Sequence, residues 1–130
     1  MLLLLAACDN AGSPCEADSD GIVGGSYTFD LQVDDDAFAP IILKAENLAS
    51  VTLTVTNTGT KPHGFAVDCM PTPNDNGCPE SSCFPDASTI GALLPDASTT
   101  TTFVTPNPEG IYTFRSPVAG DTQTGQFVVQ

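Results

Sequence analysis

The chain has no tryptophan, one histidine and only three Lys and Arg against 16 Asp and Glu. Each shortage excludes something. One imidazole cannot build a histidine pair, a His-rich metal cage or a two-imidazole proton relay. The cations, Lys44, Lys61 and Arg115, are too few and too scattered to form a basic patch, and a formal net charge of -13 repels phosphate backbones. Nucleic-acid binding is therefore excluded, and most enzyme classes lose their material. Charged residues are also sparse, 15% against 41% hydrophobic, which is too apolar for intrinsic disorder. The 130 residues suffice for one domain with its own core.

Long apolar runs are missing except at the start. Met1-Leu-Leu-Leu-Leu-Ala-Ala-Cys8 ends in small residues and a cysteine. This resembles the end of a bacterial lipoprotein signal peptide, with Leu5, Ala6, Ala7 and Cys8 on the lipobox positions. The resemblance implies lipidation at Cys8 and a membrane-anchored protein of the bacterial cell envelope, facing the periplasm or the cell exterior. The basic segment that usually opens such a signal is missing, as expected of a truncated gene start. Asp9 and Asn10 resemble an inner-membrane retention signal.

Export would place the remaining cysteines, Cys15, Cys69, Cys78 and Cys83, in an oxidising compartment where disulfides persist. Four cysteines allow three complete pairings. The tight Cys78 to Cys83 spacing gives a marginal preference for that pair with Cys15–Cys69, and the other pairings stay open. A metal site from Cys69, Cys78 and Cys83 is disfavoured, because separations of nine and then five lack the paired C-x-x-C knuckles of structural zinc sites.

Residues 1–8 thus read as a signal remnant, 9–25 as a flexible acidic spacer, and 26–130 as the folded domain. Within the domain the apolar period is two. Tyr27, Phe29, Leu31 and Val33 alternate with polar residues, as do Val51, Leu53 and Val55 with threonines. Phe38–Leu43 is a short apolar run in which Pro40 marks an edge or bulge. Residues 64–68, 98–105, 111–114 and 125–129 complete the strand set, whereas 69–98 reads as a long loop pinned by disulfides. No amphipathic helical period follows residue 9. Short strands with Gly/Pro turns indicate an all-β, antiparallel Greek-key sandwich.

The motif order over nearly all of residues 26–130 resembles the cupredoxins, the blue copper proteins and their copper-free relatives. The carriers are Phe38-Ala-Pro40, Val51-Thr-Leu-Thr-Val-Thr-Asn57 leading to His63, Glu109-Gly-Ile-Tyr-Thr-Phe114, and Gly125-Gln-Phe-Val-Val129. The resemblance places His63 on the first copper-ligating position. In the loop that would supply the other ligands, Ser116 stands at the Cys position, Ala119 at the second His position and Gln123 at the Met position. No shift of register rescues the set, since His63 is the only histidine and no cysteine follows Cys83. The resemblance argues for the fold and against the usual activity.

Other readings of these residues are weaker. The sulfurs of Cys69, Met70, Cys78 and Cys83 would suit Cu(I) with His63 only if reduced, and six extended residues put Cys69 about 20 Å from His63. Asp34, Asp35 and Asp36 alternate faces and do not converge as calcium requires, so they read as a solvated turn. No strained elbow surrounds Ser116. Taken alone, His63 reads as a partly exposed loop-end histidine bonded to a turn carbonyl. The expectation is a copper-free, non-enzymatic module without cofactor. It would bind an envelope protein or small ligand and touch the membrane only through its anchor. A copper-binding electron-transfer or copper-handling protein using His63 is the alternative.

Overall fold

The computed structural model describes residues 24–71 and 81–130. The expectations for the lipobox, for most of the spacer and for Cys15 and Cys78 lie outside the described residues. The strands are β1 (Ser26–Val33), β2 (Phe38–Ala39), β3 (Ile42–Ala45), β4 (Ser50–Asn57), β5 (His63–Val67), β6 (Met70–Pro71), β7 (Ser81–Ser82), β8 (Ile90–Leu93), β9 (Ser98–Val104), β10 (Gly110–Arg115) and β11 (Thr124–Val129). One sheet has the order β2-β1-β4-β9, the other β3-β11-β10-β5-β8, and β6 and β7 form a small separate hairpin. The only helical piece among the described residues is a single 3-10 turn at Asp86–Ser88. No described helix is long and apolar enough to cross a membrane.

The all-β sandwich is as expected, with two corrections. Pairing is mixed, since β1 runs parallel to β4 and β3 parallel to β11. The stretch read as one long loop contains β8, which pairs antiparallel with β5. Gly24 and Gly25 pack onto the sandwich just ahead of β1: Gly24 is buried, its N–H donates to the Leu48 carbonyl, and the Gly25 carbonyl accepts from Ser50. Pro40 stands where the chain leaves the first sheet for the second, after a cis Ala39–Pro40 bond.

Period-two alternation explains the layers. In β4, Val51, Leu53 and Val55 are fully buried between the sheets, while Thr52, Thr54 and Thr56 lie on the outer face. There Thr54 bonds Thr100 at 2.8 Å and Thr56 bonds Ser98 at 2.7 Å across to β9. β-Branched residues favour this half-buried pleat. The core holds two aromatic groups. Phe38, Phe65 and Phe114 pack at one end, with Phe38 edge-on to Phe114 at 5.0 Å. Phe84, Phe103, Tyr112 and Phe127 fill the middle. Each buried aromatic of this kind contributes roughly 1.5–3 kcal/mol by leaving water. Gly125 is glycine because a Cβ there would fall inside the Phe114 ring.

Cys69 and Cys83 form a disulfide, so the marginal preference for Cys78–Cys83 with Cys15–Cys69 is overturned. The backbone accounts for the pairing. The β6–β7 hairpin matches Met70 with Ser82, which brings their outer neighbours, Cys69 and Cys83, to a Cα separation of 4.2 Å.

Candidate functional site

Four connections meet at one end of the sandwich: the β1–β2 turn, the β4–β5 turn, the β8–β9 turn and the β10–β11 loop. Asp34 shapes the first. Its Oδ1 accepts from the N–H groups of Asp36 (2.7 Å) and Ala37 (2.8 Å), the short-range bonding that suits Asp to turns. Asp35 is thereby directed at the β4–β5 turn. Its Oδ1 accepts from the N–H of Thr60 (2.9 Å) and of Lys61 (3.3 Å), and its Oδ2 from the Thr60 hydroxyl (2.5 Å). A Cβ on Gly59 would collide with this carboxylate. Asn57, fully buried, ties the next turn in. Its Nδ2 donates to the carbonyls of Lys61 (2.7 Å) and Leu93 (2.8 Å), and its Oδ1 accepts from Gly59 (2.8 Å).

His63, the first residue of β5, sits at the centre and is 1% exposed. The expectation of a partly exposed histidine bonded to a turn carbonyl is therefore corrected. Its Nε2 lies 2.8 Å from Asp35 Oδ1 and its Nδ1 2.7 Å from Asp121 Oδ2. Asp121 also accepts from the Ser116 hydroxyl at 2.5 Å, and Ser116 Oγ in turn accepts from the Gly64 N–H at 3.0 Å. Gln123, buried, donates its amide to the Asp34 carbonyl at 2.6 Å, with that nitrogen 3.2 Å from His63 Nδ1. Its Oε1 has no partner among the described residues.

An ionised carboxylate only accepts, so a ring nitrogen beside one must donate. A carboxylate on each side favours the doubly protonated, cationic imidazole. The titration directions agree. Burial pulls the His63 pKa down, but the bonds to Asp121 and Asp35, with their charges, outweigh it and leave the pKa raised. The Thr60 hydroxyl and then His63 hold Asp35 far below the usual carboxylate range. Burial pushes Asp121 up, and the bonds from His63 and Ser116 overcome that and leave it lowered.

Of the positions singled out in the sequence, the structure brings His63, Ser116 and Gln123 together. Ala119 stays exposed, outside the cluster. Asp121, two residues on, occupies the side of the ring where a second ligand was sought. Asp35 and Asp121 were missed, and Asp35 corrects the reading of Asp34–Asp36 as a merely solvated turn. The signal for Asp35 was its alternation, which sets its side chain on the face opposite those of Asp34 and Asp36. Asp121 offered none beyond its place in the ligand loop.

Type 1 copper does not fit this set. It needs a thiolate and two imidazoles converging on one ion. Here one imidazole has both nitrogens committed as donors, and its neighbours are two carboxylates on opposite edges, a hydroxyl and an amide. Among the described residues no three His, Cys, Asp or Glu converge to hold a metal ion. Ser116 also fails as a nucleophile, since its proton points to Asp121 and not to a free imidazole nitrogen.

No model of a known protein family matches the chain, and no curated protein does. Solved structures do. Auracyanin A, a "blue" copper protein from the green thermophilic photosynthetic bacterium Chloroflexus aurantiacus, is 19% identical with a TM-score of 0.59, over 81% of this chain and 99% of that one. Auracyanin B is 20% identical with a TM-score of 0.59, over 80% and 88%. The copper-containing nitrite reductase from Thermus scotoductus is 15% identical with a TM-score of 0.58 over 81% of this chain, which spans only 28% of that protein. At these identities the likeness shows the fold, and that fold is cupredoxin-like.

Proposed function

We propose that the chain is a copper-free, cupredoxin-like binding module of the bacterial cell envelope, anchored through a lipid on Cys8 and presenting its loop end to a partner protein or small ligand. The observation that carries this reading is the double engagement of His63, whose two ring nitrogens lie 2.8 Å from Asp35 and 2.7 Å from Asp121, an arrangement that favours a proton over a metal on each nitrogen. Ser116 at the thiolate position and Gln123 at the axial position support it. Binding is favoured over catalysis because every polar side chain around His63 except the Gln123 carbonyl is committed to a neighbour, which leaves no free base or nucleophile.

The test adds one equivalent of Cu(II) to the oxidised, folded protein and reads visible absorption and electron paramagnetic resonance. Only weak, easily competed carboxylate binding is expected. An intense blue or green thiolate band abolished by His63→Ala would overturn the reading and put electron transfer first. The anchor is tested separately: the intact precursor should partition with membranes in its native host and Cys8→Ser should release it. Unchanged partitioning would refute lipidation.

A further inference from the structure

We propose that the His63 end is a proton latch, in which the Nδ1 proton of His63 joins the β10–β11 loop to the rest of the sandwich and its loss lets that loop open. The proposal rests on the copper-free reading of the same site.

The bonds holding each side of the ring differ. On the Nε2 side, Asp35 is fixed without help from His63, by the Thr60 hydroxyl and the N–H groups of Thr60 and Lys61, and that turn is tied to β4 and β8 through Asn57. On the Nδ1 side, Asp121 has one other side-chain partner, Ser116, which belongs to its own loop. The Asp121 N–H is also spent within the loop, on the Val118 carbonyl. Besides the Asp121–His63 bond, the side-chain contacts that reach from this loop to the body lie at its two ends: Ser116 with Gly64 at one, and Gln123 with the Asp34 carbonyl and, at 3.2 Å, with His63 Nδ1 at the other. Between those ends lie the exposed Pro117, Ala119, Gly120 and Thr122, with Gly120 at a φ of +91°.

A neutral imidazole keeps one proton, so a lone pair must then face one carboxylate at under 3 Å. If it faced Asp35, that carboxylate could not withdraw without breaking the β4–β5 turn. If it faces Asp121, the loop can carry the carboxylate into water. The cheaper outcome is a neutral ring that keeps its Nε2 proton on Asp35 while Asp121 swings out. The other charged groups near the site are bonded elsewhere or face water. The Asp34 carboxylate is bonded within its own turn, Asp36 and Asp96 are exposed, and Lys61 adds its charge to that of His63 on Asp121.

The test uses the full, oxidised, ¹⁵N-labelled chain. Long-range proton–nitrogen spectra of the single imidazole are recorded through the ordinary histidine range, about pH 5 to 8, and beyond, alongside backbone amide shifts. Both ring nitrogens should be protonated at neutral pH, with a midpoint above the ordinary value of about 6.5. Above that midpoint Nδ1 should lose its proton and Nε2 keep it. The amides of residues 117–122 should shift with the same midpoint while those of Thr60 and Lys61 stay put. Asp121→Asn should lower the midpoint and give, at neutral pH, the loop shifts of alkaline wild type. Exposed Asp36→Asn should leave both unchanged. A neutral ring at pH 7, an ordinary midpoint, or a loop indifferent to the ring's titration in wild type would each overturn the latch and leave the copper-free reading standing. A blue band with copper would overturn that reading instead.

Discussion

The two ends of the sandwich are closed by different chemistry. At the His63 end the closing bonds run between charges: Asp35, His63 and Asp121. At the far end they run between neutral groups. Asn47 donates to the Asn107 carbonyl (3.0 Å) and to its side-chain oxygen (3.1 Å). The Thr105 hydroxyl donates to Glu46 (2.8 Å) and accepts from Ala49 (2.8 Å), and Tyr112 donates to Pro108 (2.7 Å). Among the described residues both ends satisfy their buried side-chain polar atoms, apart from Gln123 Oε1. Only the first does so with groups that titrate between acid and mildly alkaline pH. Tyr112 is the one titrating group in the far-end bonds, and burial pushes its phenol up, against a weaker pull from Ser82, out of that range. Sensitivity to pH is therefore concentrated at one end of the domain.

The largest effect should come from the core that the two ends share. Phe114→Ala beneath the charged end and Phe127→Ala in the middle should each cost about 3–5 kcal/mol. Urea unfolding followed by near- and far-ultraviolet circular dichroism should stay a single transition. Two separated transitions would mean that the ends are independent units and would break the comparison.

Next in size is Thr105→Val. It leaves the buried Ala49 N–H without its acceptor and should cost about 1–3 kcal/mol. Thermal unfolding at several pH values should show the same loss at each. A loss that varied with pH would deny that the far end is electrically neutral.

Smaller at any single pH, but diagnostic in shape, is the pH profile of the wild type. The raised pKa of His63 contributes stability that is complete below its unfolded value of about 6.5 and is lost as pH rises through the folded one. The lowered pKa values of Asp35 and Asp121 contribute stability that is complete above their unfolded value of about 3.8 and is lost as pH falls through the folded ones. The site should therefore stabilise most between about pH 4 and 6.5 and less on either side. Asp121→Asn should flatten the alkaline limb, and a profile unchanged by it would remove His63 as the cause.

The smallest effect is expected at Arg115, whose guanidinium pairs with Asp68 on the surface. Arg115→Ala should cost no more than about 1 kcal/mol, less as salt is added. A larger, salt-insensitive loss would show that charge matters to this fold beyond the His63 end.

Much of the fold was legible because strands with one buried face must alternate. Val51, Leu53 and Val55 announced β4, and Tyr112 and Phe114 announced β10. β8 was not legible, for Ile90 and Leu93 face inward with exposed Gly91 and Ala92 between them, which breaks the alternation. The register irregularity between His63 and Phe65 in its partner strand accommodates that break. Parallel pairing of β1 with β4 depends on which strands the topology makes neighbours, and no local pattern carries it. The site was half legible. Counting histidines and cysteines sufficed to exclude the copper ligand set, but the partners of His63 stand 28 and 58 positions away. A solitary histidine does not declare whether it meets water, a carbonyl or two acids.

The Cys69–Cys83 bridge has a consequence for the covalent connectivity of the protein. It spans a sequence separation of 14 between β5 and β8, two strands that are already hydrogen-bonded neighbours. A backbone cut anywhere between the two cysteines would leave both pieces in one molecule, heavier by a single water. Such a nicked chain would run as intact on a non-reducing gel and divide in two only after its thiols were released.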